Sequence, residues 1–532
     1  MAIDHSAHRF GGLLLLLLTS ACTLGPDWAA PDKPAPDAWS GITAPATKAT
    51  ARTASVTVAE PVAADWWGIF NDPELTSLEA RAASANLDVR IAAVRLEEAR
   101  AQRTVAGAAQ YPTLNAAGSY TREMASKEGI FSAFSSPTQG ASTNAAGVAG
   151  GVAGGVSSGS APASIFQPFN LYSYGFDASW EPDFWGQVAR GIESANASVL
   201  ATEQARRAAL TSVLAEVARN YVQLRGTQRS LAITRENLAT AQDSLRLTQD
   251  RFANGLTTDL DVNDARVQVG LTAAQLPSLE QQQSSLINQI ALLLGAQPAS
   301  LSGELLAAQP VPPPPPRVPV GLPSELLLRR PDIAQAEALL HSATADIGVA
   351  EASFYPSVTL SGSASLQALQ FSNLGTWSAL QYGFGPAINL PIFQGGQLIG
   401  TLELRKAQAR EAAITYRKTV LGAWHEVANA FDAYQAEQRR RDRLDEATRA
   451  ARLATNLARQ RYQQGIADFL SVLDAQRSQL SAEQQLADST TTVSTNLVAI
   501  YKALGGGWDS SVAATAAPAP TAQPVPVVAP PT

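Results

Sequence analysis

The chain has 532 residues, a formal net charge of −7, 16% charged side chains and 7% aromatic ones. An acidic balance without any basic block excludes an electrostatic nucleic-acid surface. Cys22 is the only cysteine, which excludes an intramolecular disulfide and a Cys-x-x-Cys metal cluster.

The first element is a leader. Arg9 precedes an apolar run from Leu13 to Leu18, and Thr19-Ser20-Ala21-Cys22 follow. The run is too short for a bilayer span, which needs about 20 residues. A short apolar core followed by small residues marks a secretory signal, expected over residues 1–21. A cysteine directly after those residues resembles a bacterial lipobox, although Thr19 stands where such sites favour leucine. The expectation is a lipid on Cys22 that tethers an N-terminal segment, 22–74, to a membrane. The alternative is an ordinary signal followed by a chance cysteine. The remaining chain has no apolar run of 18 residues, so any membrane-crossing part must be β-structure.

Residues 75–309 form a first repeat. Leu78, Ala82, Ala85, Val89 and Leu96 have helical spacing. Two strands are expected at about 112–124 and 169–181. In the second, Tyr172, Tyr174, Phe176, Ala178 and Trp180 alternate with Ser173, Gly175, Asp177 and Ser179. The Gly/Ala/Ser-rich stretch between them, about 130–165, reads as a long flexible loop. Two helical arms follow, at about 186–250 and 256–295. Leu224, Leu231, Leu238, Leu245 and Phe252 recur every seven residues, a coiled-coil seam. An arm of about 65 residues spans nearly 100 Å, where an ordinary helix has about 11 residues.

The Pro-rich segment 310–323 reads as an extended linker. Residues 324–508 repeat the plan, with strands at about 356–368 and 378–390 and arms at about 394–460 and 466–504. The Ala/Pro-rich tail, 509–532, has the composition of a disordered segment.

The two halves are a duplication. Arg251-Phe252-Ala253-Asn254-Gly255 matches Arg461-Tyr462-Gln463-Gln464-Gly465. Leu260, Val262, Asp264 and Ala265 match Leu470, Val472, Asp474 and Ala475 at the same offset of 210. A constant offset means arms of equal length, and Gly255 and Gly465 mark the reversals.

The strands carry one apolar and one small polar face, as in a membrane barrel or a half-buried soluble sheet; their aromatic-rich ends favour the membrane. Four strands cannot close a barrel, and lipid does not tolerate an open edge. A trimer would supply twelve strands and twelve arms. The fold class expected is mainly α with a membrane β-barrel portion, in duplicated helix–two strands–long helix–helix halves. A lipid-anchored envelope scaffold or adhesin is the alternative of another class.

The motif Cys22-Thr23-Leu24-Gly25-Pro26-Asp27-Trp28 resembles the mature start of outer-membrane efflux lipoproteins. The stretch Asp65-Trp66-Trp67-Gly68-Ile69-Phe70-Asn71-Asp72-Pro73-Glu74-Leu75 is similar to the next signature of the same family. With the Arg-aromatic-x-x-Gly reversals, resemblance to the TolC-like outer-membrane factors, in their lipoprotein branch, runs from Cys22 to Trp508. It implies a homotrimer, a 12-strand barrel on a 12-helix periplasmic tunnel, in the outer membrane. It also implies a periplasmic adaptor and an inner-membrane pump of the resistance–nodulation–division class as partners. The function implied is a passive exit duct for small molecules; a type I secretion or metal-efflux channel would look the same.

Two candidate sites follow from the resemblance. Gly255, Leu256 and Thr257, with Gly465, Ile466 and Ala467, are the adaptor-docking tips, or the glycines serve only as helix stops. Leu470, Asp474 and Arg477 match the family's periplasmic gate, and their spacing puts them on one helical face. An ordinary intrahelical Asp474–Arg477 pair is the alternative. In the first repeat Val267 replaces the arginine. No catalytic motif appears, whether Walker lysine, G-x-S-x-G or H-E-x-x-H. His5 and His8 fall in the leader, and His341 and His425 read as bland helical residues. No enzyme activity, metal or cofactor is expected beyond the lipid on Cys22.

Overall fold

The computed structural model describes residues 23–32, 55–124 and 168–508. The leader, Cys22, the 130–165 loop and the 509–532 tail lie outside the described residues. In the first half the elements are β1 (Val56–Val58), α1 (Pro73–Ala85), α2 (Leu87–Ala108), β2 (Thr113–Glu123), β3 (Phe169–Trp180), α3 (Gln187–Ala253), α4 (Asp259–Leu293) and α5 (Ser302–Leu305). In the second they are β4 (Arg317–Pro319), α6 (Pro323–Arg329), α7 (Pro331–Ala352), β5 (Ser357–Ala368), β6 (Leu380–Asn389), α8 (Gln397–Gln463) and α9 (Phe469–Ala503). The protein is predominantly helical and the halves are copies: α3 and α8 have 67 residues each, α4 and α9 have 35.

The chain divides into two compact units. One holds the segments 104–192 and 346–404 and the residues up to Pro26. Its centre is an antiparallel sheet of order β2-β3-β5-β6. Phe176 stands opposite Ala116 and Ala364, and Ala364 stands opposite Tyr382. Residues opposite one another share a face and alternate residues change face. One face therefore collects Leu114, Tyr120, Tyr174, Phe176, Leu360, Tyr382, Phe384 and Ile388, all exposed. The other collects Asn115, Asp177, Ser179, Ser361 and Ser363, which line a 350 Å³ groove. Gly175 is required where β3 crosses β5, since a Cβ there would lie 2.5 Å from Ser365 Cα. β2 and β6 each leave an edge without a strand partner among the described residues.

Beside the sheet, Trp185 Nε1 donates to Pro356 O at 2.7 Å, and its ring lies 4.9 Å from that of Tyr355. The N-terminal strap is seated here. Leu24 N–H donates to Trp185 O, and Arg190 Nε donates to Leu24 O at 3.1 Å. A Cβ on Gly348 would lie 2.7 Å from Leu24 O, and one on Gly186 would lie 2.8 Å from Thr23 Cα. Glycine at both places opens the slot.

The other unit holds residues 27–103, 193–345 and 405 onward, with the main apolar core. The 65–75 motif builds one end of that core. Trp66 is 1% exposed and stacks on Tyr501, ring centroids 5.3 Å apart. Asp72 caps α1 by accepting from the Glu74 and Leu75 N–H groups, and Tyr221 Oη donates to its other oxygen at 2.7 Å. Arg225, wholly buried, pairs with Glu74 at 3.0 Å and lies over the Tyr221 ring. Burial and the Asp72 carboxylate both push the Tyr221 phenol well up.

The 310–323 segment is extended, but it is not a free linker. β4 pairs in parallel with β1, and Val318 and Val320 are 0% and 1% exposed. Its alternate valines reach the core, which outweighs the proline content. His341 is likewise more than a bland helical residue. Trp28 stacks on it at 4.6 Å and its Nε2 is 2.8 Å from Glu193 Oε1, so it fastens the strap to α7. The heptad seam of α3 is buried at Leu224 and Leu231 but opens toward the end of the helix, where Phe252 is 46% exposed.

Candidate functional site

Each helical arm reverses through a tip of one design. In the first, Gly255 N–H donates to Phe252 O at 2.9 Å and Leu256 N–H to Arg251 O at 2.8 Å. In the second, Gly465 N–H donates to Tyr462 O at 3.0 Å and Ile466 N–H to Arg461 O at 2.9 Å. These bonds satisfy the last helical carbonyls and demand a left-handed residue, supplied by glycines with φ of +72° and +75°. The following helices start from side-chain caps. Thr258 and Asp261 form a reciprocal capping box at α4. Asp468 accepts from the Ser471 N–H and hydroxyl at α9, and the two bonds hold its carboxyl below the usual range.

The tips expose apolar side chains: Leu256 is 65% exposed and Ile466 is 63%. Thr257 and Ala467, half-buried, flank them. At the second tip Ala454, Leu457, Ala458, Arg461, Ile466 and Ala467 line a groove of 460 Å³. The contact that joins the tips is not legible in the sequence. Arg251 Nη1 donates to Tyr462 O at 2.7 Å, and its guanidinium lies over the Tyr462 ring at 4.6 Å. The Arg-aromatic pairs in the duplicated motif were the available signal, but spacing alone does not say that they meet across tips.

Leu470, Asp474 and Arg477 lie on one exposed face of α9, with Leu470 55% exposed. Their counterparts Leu260 and Val267 on α4 are also exposed, at 68% and 52%. Arg477 does not take Asp474 as its partner. Its Nε donates to Gln268 Oε1 on α4 at 3.0 Å, which leaves the Asp474 carboxylate outward. This arrangement offers an apolar side chain, a carboxylate and a guanidinium to whatever lies on that face. Among the described residues no group of His, Cys, Asp and Glu could hold a metal ion. Among them, too, no helix is long and apolar enough to cross a membrane.

Comparison with known proteins agrees with this architecture. The profile of the family described as "Outer membrane efflux protein" matches residues 78–296 and 322–506. Outer membrane protein OprJ of Pseudomonas aeruginosa is 32% identical over 511 residues, covering 94% of this chain and 96% of its own. The cation efflux system protein CusC of Escherichia coli is 30% identical over 498 residues, covering 92% and 97%. The solved outer-membrane channel OprN superposes with a TM-score of 0.77 at 33% identity, covering 92% of this chain and 100% of its own. On this breadth of similarity the chain belongs to the outer membrane efflux protein family, and it is an outer-membrane efflux duct, not an enzyme.

Proposed function

We propose that the protein is the passive exit duct of a tripartite pump, carrying small molecules from periplasm to exterior. The observation that carries this is the four-stranded sheet, with one mostly apolar, exposed face that ends in Arg122 and Asn170, a small polar face and, among the described residues, two open edges. Such a sheet is stable in lipid only when neighbours close it. Three copies give a 12-strand barrel, continued by a 12-helix periplasmic tunnel. The exposed tips at 255–257 and 465–467 dock a periplasmic adaptor, and through it an inner-membrane pump that supplies the energy. Leu470, Asp474 and Arg477 ring the resting tunnel as its gate. Cys22 is the first mature residue and carries acyl chains. One chain binds membranes only marginally, so two or more hold it. Palmitate should label the wild type and not Cys22→Ser; equal labelling would remove the anchor.

The test of the duct reading combines export with conductance. Thr257→Trp or Ala467→Trp should abolish drug resistance while purified trimer still conducts in planar bilayers. Normal resistance in both variants would leave the glycines as mere helix stops, and a wild type without conductance would overturn the duct. The likeness to CusC keeps metal cations open as cargo. Deletion of the gene followed by drug and metal-cation susceptibility profiles separates the two.

A further inference from the structure

The two tips are built alike but mated unequally. Their backbone bonds correspond one for one, so arginine and aromatic leave each tip in the same direction. In the first tip Arg251 crosses to the second tip of its own chain, over the Tyr462 ring and onto the Tyr462 carbonyl. Tyr462 is 3% exposed, packed also against Phe469 and Val472.

The duplication supplies a second copy of this pair. Arg461 corresponds to Arg251, and Phe252 corresponds to Tyr462, at the common offset of 210. This second pair is unmated. Phe252 is 46% exposed, and Arg461 is exposed with no side-chain partner among the described residues. The two residues do not meet within the chain, where it is Arg251 that crosses from the first tip to the second. In a ring where first and second tips alternate, however, each second tip has a neighbour's first tip on its free side. A rotation that carries the first tip onto the second carries Arg251 onto Arg461, and carries Tyr462 onto the neighbour's Phe252.

We propose that Arg461 of each protomer docks on Phe252 of the next. Its guanidinium lies over the ring and an N–H points at the Phe252 carbonyl, repeating between chains the contact that Arg251 makes within one. The partner is a second copy of this chain, and the inference rests on the trimer of the proposed function. Arginine over an aromatic ring is a favourable pairing for two otherwise exposed groups. The ring of tips is then held by six such joints of two kinds, three on tyrosine within chains and three on phenylalanine between them.

Full-length protein in native outer membranes tests this by cross-linking. Arg461→Cys combined with Phe252→Cys, treated with a short bismaleimide, should run as covalent dimers and trimers on a denaturing gel. Each single substitution, and the wild type with Cys22 alone, should run as monomer. Arg251→Cys with Tyr462→Cys is the control for a contact within one chain and should give a monomer with an internal link. Monomer from the Arg461/Phe252 pair would overturn the joint if light scattering of the same detergent-solubilised variant still shows a trimer. A monomer by light scattering would overturn the trimer reading and the joint together. A second readout needs no cysteine. Arg461→Ala, Phe252→Ala and their combination should raise bilayer conductance equally, because one joint is lost in each, and Phe252→Tyr should conduct like the wild type. Additive effects would refute the pairing.

Discussion

Glu79 lies in α1 at 0% exposure, and neither carboxylate oxygen makes a hydrogen bond of normal geometry. Burial pushes its carboxyl well above the ordinary value of 4.5, and the backbone at Ala218 opposes this only in part. The sign follows from linkage. The folded protein holds the proton more tightly than the unfolded chain, so this stabilisation is complete below pH 4.5 and is lost as pH rises toward the folded value. Loss proceeds at about 1.4 kcal/mol per pH unit in that window. Wild type and Glu79→Gln should therefore show Tm curves that diverge above pH 4.5, with the variant gaining; parallel curves would refute the assignment. Nothing in the sequence marks Glu79, because α1 reads as ordinary amphipathic helix and only tertiary packing buries that position. Arg225 is unmarked for the same reason, whereas the 65–75 motif is legible but its structural roles are not.

At the scale of elements, what could be read was local and periodic. The two-residue alternation of 172–180 and 358–366 and the Arg-aromatic-x-x-Gly reversals need no knowledge of distant chain. The β1–β4 pair joins residues 56–58 to 317–319, and a pairing of two three-residue strands across that separation leaves no periodic trace. The face of α9 was readable in its spacing, but the Arg477–Gln268 bond between helices was not. That bond sharpens the gate prediction. Asp474→Ala combined with Arg477→Ala removes the outward acid and unties α9 from α4. Bilayer conductance should rise and cells should become sensitive to vancomycin-sized compounds. Conductance like the wild type would mean that this face is ordinary helix surface.

For the whole molecule, the sheet decides the environment. Leu360 faces Pro386 across β5–β6 on the apolar side, and its neighbour Ser361 faces Gly385 on the polar side. Leu360→Arg should disfavour insertion by about 2–4 kcal/mol if the residue sits near mid-membrane. Ser361→Arg should be mild, because the proposed barrel turns the polar face to its lumen. Trimer recovered from outer membranes in mild detergent measures both, and equal losses would contradict the two-sided sheet. The seated N-terminal strap also dictates an order of events in biogenesis. Leu24 rests between Arg190 and Gly348, groups that lie 166 and more residues further along the chain. The slot does not exist until the second repeat has crossed the inner membrane, whereas the strap, which precedes both repeats, emerges before them. A nascent chain must therefore travel with its first residues unclasped, and closure of the strap reports that both repeats have arrived.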